Sequence, residues 1–318
     1  MTTAVLDCAG VGRRYGRRGT WGLRTCTLAV PAGRVVAVVG PNGAGKTTLL
    51  HLAAGLLPPT EGSVQVAGAV PERRLERIGF APQDSPLWPQ LRVRDVLGVG
   101  AHLNPRWDAD LASDRIARLS IPPRARIGAL SGGQRAQVAL TLVLAKRPQL
   151  LLLDEPLASL NPLARPEFLA SMFDACTSSG AAVLFSSHVV AEMERISDDL
   201  VVLAGGRVRL DGDIDKLRHA HRVIVGPAGW PTTMTAQMAP TVRDASGDAT
   251  GKWELISARE AAGRTTALAR VGAHLVAGPG LQAVEPTFEE LVLGYLDQDH
   301  SDQDHPQRDP TLQVETSV

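Results

Sequence analysis

The sequence predicts an α/β fold, a mostly parallel sheet covered by helices on both faces, carrying a helical insertion and followed by a smaller α+β piece. Three observations carry this. Short apolar runs at 35–39, 150–153 and 182–186 read as strands buried on both faces. Helical patterns alternate with them. Glycine-rich turns and paired acids stand directly after the strands, where an open parallel sheet gathers its ligands.

The elements follow in order. Residues 4–8 and 23–30 are strand-like pieces broken by Gly- and Arg-rich turns, and Pro31, Ala32 and Gly33 turn the chain into the buried strand at 35–39. A helix over 47–54 comes next, then a strand that alternates in polarity at 62–70 and a buried strand at 78–82. Between 84 and 130 the texture changes to five prolines, two tryptophans and two helical patterns, 93–103 and 108–119. Asp108 is placed to cap the second of these, with Leu111, Arg115, Ile116 and Leu119 on one face. Strand and helix alternate again from Ser131 onward.

After about 217 the pattern shifts once more. Strands at 221–225, 252–258 and 265–271 and a closing helix at 287–296 form a small α+β domain. The expected domains are therefore 1–217, with the helical insertion at 84–130, and 218–296, with a disordered polar tail at 297–318. The tail repeats Asp-Gln-Asp-His at 297–300 and 302–305. A solvated tail is preferred there to a metal site built on His300 and His305, and His219 and His221 read as linker residues.

At 318 residues the chain has room for one large domain and one smaller one, and its 44% apolar content supports a sizeable core. A net charge of zero gives no basic field for a nucleic-acid partner. Cys8, Cys26 and Cys176 are odd in number and far apart, as expected of core thiols in a reducing compartment. No apolar run reaches the roughly 18 residues that a bilayer crossing needs, and the N-terminus lacks a signal-peptide layout. A cytoplasmic chain is expected, free to dock on a membrane partner.

The chemistry begins at Gly40-Pro41-Asn42-Gly43-Ala44-Gly45-Lys46-Thr47-Thr48, between a buried strand and a helix. The glycines allow a tight turn whose N–H groups point at phosphate oxygens on a helix N-terminus. Lys46 can reach the β- and γ-phosphates, and the Thr47 hydroxyl suits Mg²⁺. The run Leu150-Leu151-Leu152-Leu153 then delivers Asp154 and Glu155. Asp154 suits the Mg²⁺ shell, and Glu155 suits an attacking water as hydrogen-bond acceptor or base. Ser131-Gly132-Gly133-Gln134 opens a helix and makes a second anion-binding N-terminus. One triphosphate rarely needs two such sites, so the second is expected to serve the nucleotide of another copy.

These segments closely resemble the ATP-binding-cassette ATPases, the motor subunits of ABC transporters, over roughly residues 1–217. The resemblance rests on Ser131-Gly132-Gly133-Gln134 about 20 residues before the acidic strand. It implies a P-loop NTPase of RecA-like core, with an N-terminal antiparallel β-subdomain and an inserted helical subdomain. It further implies ATP and Mg²⁺ as ligands and ATP hydrolysis as the activity. Gln83 matches the glutamine that joins the core to the insertion and contacts Mg²⁺ and the attacking water. His188 matches the histidine that bonds the γ-phosphate and aligns Glu155 with the water. Tyr15 resembles the aromatic that stacks on adenine, with Trp21 as rival. Asn161 stands where the family usually has aspartate, which puts in doubt the strength of communication between two sites.

The partners implied are a transmembrane permease and a second ATPase subunit, identical or related, with the chain held peripherally at the inner face of the cell membrane. Leu87, Trp88 and Leu91 are candidates for the docking groove, with core packing the competing reading for Trp88. The segment Val284-Glu285-Pro286-Thr287-Phe288-Glu289-Glu290-Leu291 looks like the end of bacterial drug- or antibiotic-export ATPases, which favours export. Only about 85 residues separate Lys46 from Ser131, too few for the long coiled coils of chromosome ATPases. A single cassette also departs from the two-cassette translation factors, and a small-molecule kinase would lack the Ser-Gly-Gly-Gln helix. A regulatory ATPase without transport is the alternative.

Overall fold

A computed structural model describes residues 4–16, 19–83, 86–158, 160–162, 165–187, 190–233, 241–243, 249–251, 253–271 and 274–304. The chain forms two compact units, Met1–Asp211 and Gly212–Val318.

In the first unit, β1 (Ala4–Arg14) and β2 (Trp21–Pro31) pair antiparallel. Their buried residues alternate with exposed ones: Leu6, Cys8 and Val11 on β1 and Cys26, Leu28 and Val30 on β2 turn inward. Such alternation is what a sheet with one wet face requires. β3 (Val35–Val39) is buried at all five positions, and it is followed by α1 (Lys46–Ala53) and β4 (Glu61–Val66). β4 joins β1 to complete an antiparallel sheet of order β2-β1-β4. One hydrophobic core runs from this sheet through Leu49, Leu50 and Leu52 of α1 to Leu150, Leu152 and Leu184. Cys8 and Cys26 are fully buried within it. Desolvation pushes both thiols up, Cys26 to about 11, so they pack as small apolar groups.

The chain continues through β5 (Ile78–Ala81), α2 (Val93–Leu103), α3 (Ala109–Arg118), α4 (Gly132–Ala145), β6 (Leu150–Leu153), α5 (Arg165–Ser179), β7 (Ala182–Ser186), α6 (Val190–Glu194), β8 (Asp199–Ala204) and β9 (Arg207–Asp213). A six-stranded sheet forms in the order β5-β6-β7-β3-β8-β9. β5, β6, β7, β3 and β8 pair parallel, with Leu153 opposite Phe185 and Val38 opposite Ser186. Parallel strands in close register end together, so the segments after β3, β5, β6 and β7 leave one edge of the sheet.

α2 and α3 form the insertion around Val93, Val96, Ile116, Ile121 and Ile127, joined by Leu130 and by Val138 of α4. The Asp108 side chain caps α3, accepting from the Leu111 N–H at 2.8 Å, as its sequence position predicts. Leu87 and Leu91 pack against this core, whereas Trp88 is 56% exposed. The core-packing reading of Trp88 therefore fails, while Leu87 and Leu91 are partly buried against the insertion core.

The second unit runs through α7 (Ile214–His219), β10 (His221–Pro227), α8 (Trp230–Thr233), β11 (Thr241–Arg243), β12 (Ala249–Gly251), β13 (Trp253–Ala261), β14 (Arg264–Val271), β15 (His274–Val276), β16 (Gln282–Val284) and α9 (Phe288–Asp304). Its sheets have the orders β13-β14-β10-β16 and β12-β11-β15. Thr287 and Glu290 bracket the start of α9: the Thr287 hydroxyl accepts from the Glu290 N–H at 3.2 Å, and the Glu290 carboxylate accepts from the Thr287 N–H at 2.8 Å. α9 runs to Asp304, past the end at 296 that the sequence suggests, while residues 305–318, His305 among them, lie outside the described residues.

His221 is not a linker residue. It is fully buried, with Nδ1 2.6 Å from the Leu217 carbonyl oxygen and Nε2 2.8 Å from the Tyr295 hydroxyl. Desolvation holds its pKa below the ordinary histidine value. Its strand position, opposite Arg270 on β14, draws the ring under α9. Among the described residues no helix is long and apolar enough to cross a membrane.

Candidate functional site

The sheet edge is built from the phosphate loop outward. Gly45 is the N-cap of α1 at φ +105°, and a Cβ on it would stand 2.3 Å from the Gly22 carbonyl oxygen. A Cβ on Gly40 would meet the Leu203 carbonyl oxygen at 2.3 Å. The loop is thus pressed between β2 and β8, and only glycine fits at these two places. Lys46 is 6% exposed, and its ammonium donates to the carbonyls of Gly40 at 2.7 Å and Pro41 at 3.2 Å. Burial lowers its pKa, and the nearby Glu155 and Asp154 pull it back up.

Asp154 and Glu155 follow β6. Asp154 is buried, and its Oδ1 accepts from the Ser186 hydroxyl at 2.8 Å. The same hydroxyl accepts from the Glu155 N–H at 2.9 Å. Glu155 has φ +44°, a left-handed conformation that costs a non-glycine residue about 1–3 kcal/mol.

A cleft of about 780 Å³ gathers Tyr15, Thr20, Trp21, Gly22, Asn42, Gly43, Ala44, Gly45, Lys46, Thr47, Thr48, Gln83 and Glu155. That volume lies within the roughly 300–1,000 Å³ of small-molecule sites. Gly40 and Pro41 do not line it, but their carbonyls hold Lys46, which does. Tyr15 and Trp21 both line it. The Tyr15 hydroxyl lies 3.1 Å from the Thr48 hydroxyl, and guanidinium groups of Arg13 and Arg14 sit 5.4 and 5.9 Å from the Tyr15 and Trp21 ring centroids.

Residues 131–134 do not line this cleft. Ser131 caps α4 by accepting from the Gln134 N–H, and Gln134 accepts from the Ser131 N–H in return, both at 3.1 Å. Gly132 starts the helix, and Ser131, Gly133 and Gln134 line a separate cleft of about 210 Å³ with Leu119, Leu160 and Phe168. Asn161 is exposed, and His188 lies outside the described residues. Thr20, Gly22 and Ser186 are site residues that sequence reasoning passed over. For Ser186 a signal existed, since a hydroxyl ends the buried strand β7 just before Ser187 and His188.

The donor set fits a magnesium-bound triphosphate. A buried ammonium and a helix N-terminus face the cleft, as phosphate requires, and two aromatic rings line it with faces of the kind a base stacks on. The Thr47 hydroxyl and the Asp154 carboxylate are hard oxygen donors of the kind Mg²⁺ takes. Fold and site together define a P-loop nucleoside triphosphatase with an antiparallel β-subdomain and an inserted helical subdomain.

Residues 23–158 match the family model described as ABC transporter, and the chain belongs to that family. It is 39% identical over 204 residues to the thiamine import ATP-binding protein ThiQ of Salmonella choleraesuis, covering 60% of this chain and 85% of that protein. It is 38% identical over 219 residues to the aliphatic sulfonates import ATP-binding protein SsuB 2 of Pseudomonas aeruginosa, covering 68% of this chain and 78% of the relative. The solved structure of cbiO1 from Clostridium perfringens, part of the ABC transporter complex cbiONQ, superposes with a TM-score of 0.59 at 26% identity, over 67% of this chain and 90% of that one. The chain is therefore an ATPase subunit of a transporter, with ATP and Mg²⁺ as its ligands.

Proposed function

We propose that two such subunits, two copies of this chain or this chain and a close relative, close head to tail around two ATP molecules and drive a separate transmembrane permease. One observation carries this reading. The N-terminus of α1 opens into a cleft of about 780 Å³, whereas that of α4 stands at a separate cleft of about 210 Å³, too small for a triphosphate by itself. Each ATP then lies between residues 40–48 of one subunit and residues 131–134 of the other, and the triphosphate charge draws both helix N-termini together.

In this reading Lys46 and the loop N–H groups hold the phosphates, and Tyr15, with Trp21 beside it, takes the base. Thr47, Gln83 and Asp154 are the residues that would hold magnesium, which neutralises phosphate charge when bound. Glu155 accepts the proton of the attacking water, and His188 and Gln83 keep that water aligned. Loss of the γ-phosphate removes the bridge between subunits, and the pair reopens. The insertion passes this motion to the permease, with the exposed Trp88 at its docking surface. The chain itself works at the inner face of the membrane, held there by the permease and without a nucleic-acid partner.

On direction, the segment at 284–291 favours export by its likeness to export ATPases. A second reading, import, is favoured by the relatives, since ThiQ and SsuB 2 are both named import proteins. Glu155→Gln tests the scheme. Steady-state hydrolysis should fall by at least about a hundredfold while ATP binding persists and an ATP-dependent dimer appears by light scattering. Near-normal turnover would remove Glu155 from the base role, and a variant that stays monomeric with ATP would remove the two-subunit site. Reconstituted with the permease in vesicles, the wild-type chain moves cargo from or toward the ATP side, which separates export from import.

A further inference from the structure

The corner between Asp154 and Glu155 leans on the neighbouring strand. Leu153 of β6 pairs with Phe185 of β7, so Asp154 comes level with Ser186, the last residue of β7. Ser186 is fully buried, and its one hydroxyl is used twice. It donates to Asp154 Oδ1 at 2.8 Å and accepts from the Glu155 N–H at 2.9 Å. Among the described residues this is the one hydrogen bond that the Asp154 carboxylate makes, so Ser186 sets which oxygen turns inward and which stays available. The Glu155 N–H would be deprived of this acceptor if the hydroxyl were lost, and its left-handed turn at φ +44° would lose a bond that holds it.

We propose that Ser186 is a positioning residue: its hydroxyl aims the Asp154 carboxylate at the metal and holds the strained turn that separates Asp154 from Glu155. The proposal rests on the reading of Asp154 as a magnesium-holding residue. Strand pairing does not need this hydroxyl. β6 is already held on both sides, by the ladder to β7 and by β5, where the Asp154 N–H donates to the Ala81 carbonyl at 2.9 Å. A serine acting only as packing would therefore leave metal dependence alone.

The test uses the full chain, a non-hydrolysable β,γ-imido ATP analogue and MgCl₂, with thermal stabilisation as readout. Ser186→Ala should bind the analogue in EDTA as the wild type does, yet need about tenfold more MgCl₂ for half-maximal stabilisation, the scale of loss typical of groups that orient a metal ligand. Ser186→Cys keeps the volume with only a weak sulfur donor and should shift the same way. A Ser186→Ala chain that does not fold leaves Ser186→Cys to decide in the same titration. Wild-type MgCl₂ titrations in the serine variants, alongside a clear shift in Asp154→Ala, would overturn the role of Ser186. An unshifted Asp154→Ala would instead overturn the magnesium reading of Asp154, and the Ser186 proposal with it.

Discussion

Lys46 shows how single residues are set in this site. Its ammonium is nearly enclosed and held by two carbonyls of its own loop, and burial lowers its pKa. A lowered lysine value means that protonation is less favourable in the folded chain than in the unfolded one. The stability at neutral pH therefore carries the cost of a buried charge, and it rises as pH climbs toward the ordinary value of 10.5. Lys46→Met should keep or raise the nucleotide-free melting temperature and lose that alkaline rise. Its ATP affinity should fall by about 3 kcal/mol, roughly a hundredfold, because a buried charge partner of the phosphates is gone. Calorimetric titration and melting curves with and without ATP check both halves. At this scale much was legible in the sequence: the residue types at 40–48 and at 154–155 follow from what a phosphate and a metal require. Ser186 left only a hydroxyl at the end of an apolar run; its bonds to Asp154 and Glu155 come from register across two strands, which that run does not record.

Among elements, the joint between the insertion and the core is the informative one. Asp108 caps α3 through the Leu111 N–H and also binds Arg147, which follows α4, while the Asp108 N–H donates to the Ala145 carbonyl at 2.7 Å. The backbone bond from Leu111, with Arg147 next, holds the Asp108 carboxyl below its ordinary value. A depressed carboxyl value gives stability that is complete above the unfolded value near 3.8 and is lost as pH falls through the folded value. Asp108→Ala should cost about 1–2 kcal/mol at pH 7, cap and ion pair together, or roughly 3–6 °C in melting temperature for a unit of this size. The gap between variant and wild type should narrow in melts below pH 4. The cap was readable from Asp108 and the face of Leu111, Ile116 and Leu119. The bond to Arg147, 39 residues away, was not, since no local pattern records which loop passes a helix start.

For the whole molecule, the two units predict two unfolding events. ATP and MgCl₂ bind only the folded site in Met1–Asp211, so at a hundredfold excess over the dissociation constant they should stabilise that unit by about 2.7 kcal/mol. The transition of Gly212–Val318 should stay where it is. Differential scanning calorimetry reads both; a single transition that moves as one would show the units to be coupled.

By itself the sequence determined the α/β class, the order of the main strands and helices, and the chemistry of the loop at 40–48 with the acids at 154 and 155. These are local matters: apolar periodicity, capping and motif spacing are written in neighbouring residues. Only the tertiary structure decided that Tyr15, Trp21, Gln83 and Glu155 share a cleft with that loop while residues 131–134 stand apart at another. It also decided that Trp88 is exposed while Leu87 and Leu91 are partly buried against the insertion core, and that His221 is buried against Tyr295. The physical reason is the same in each case. Strand order, register and the packing of one layer on another bring distant segments together, and those contacts arise from the sum of the chain's burial, which no single segment specifies.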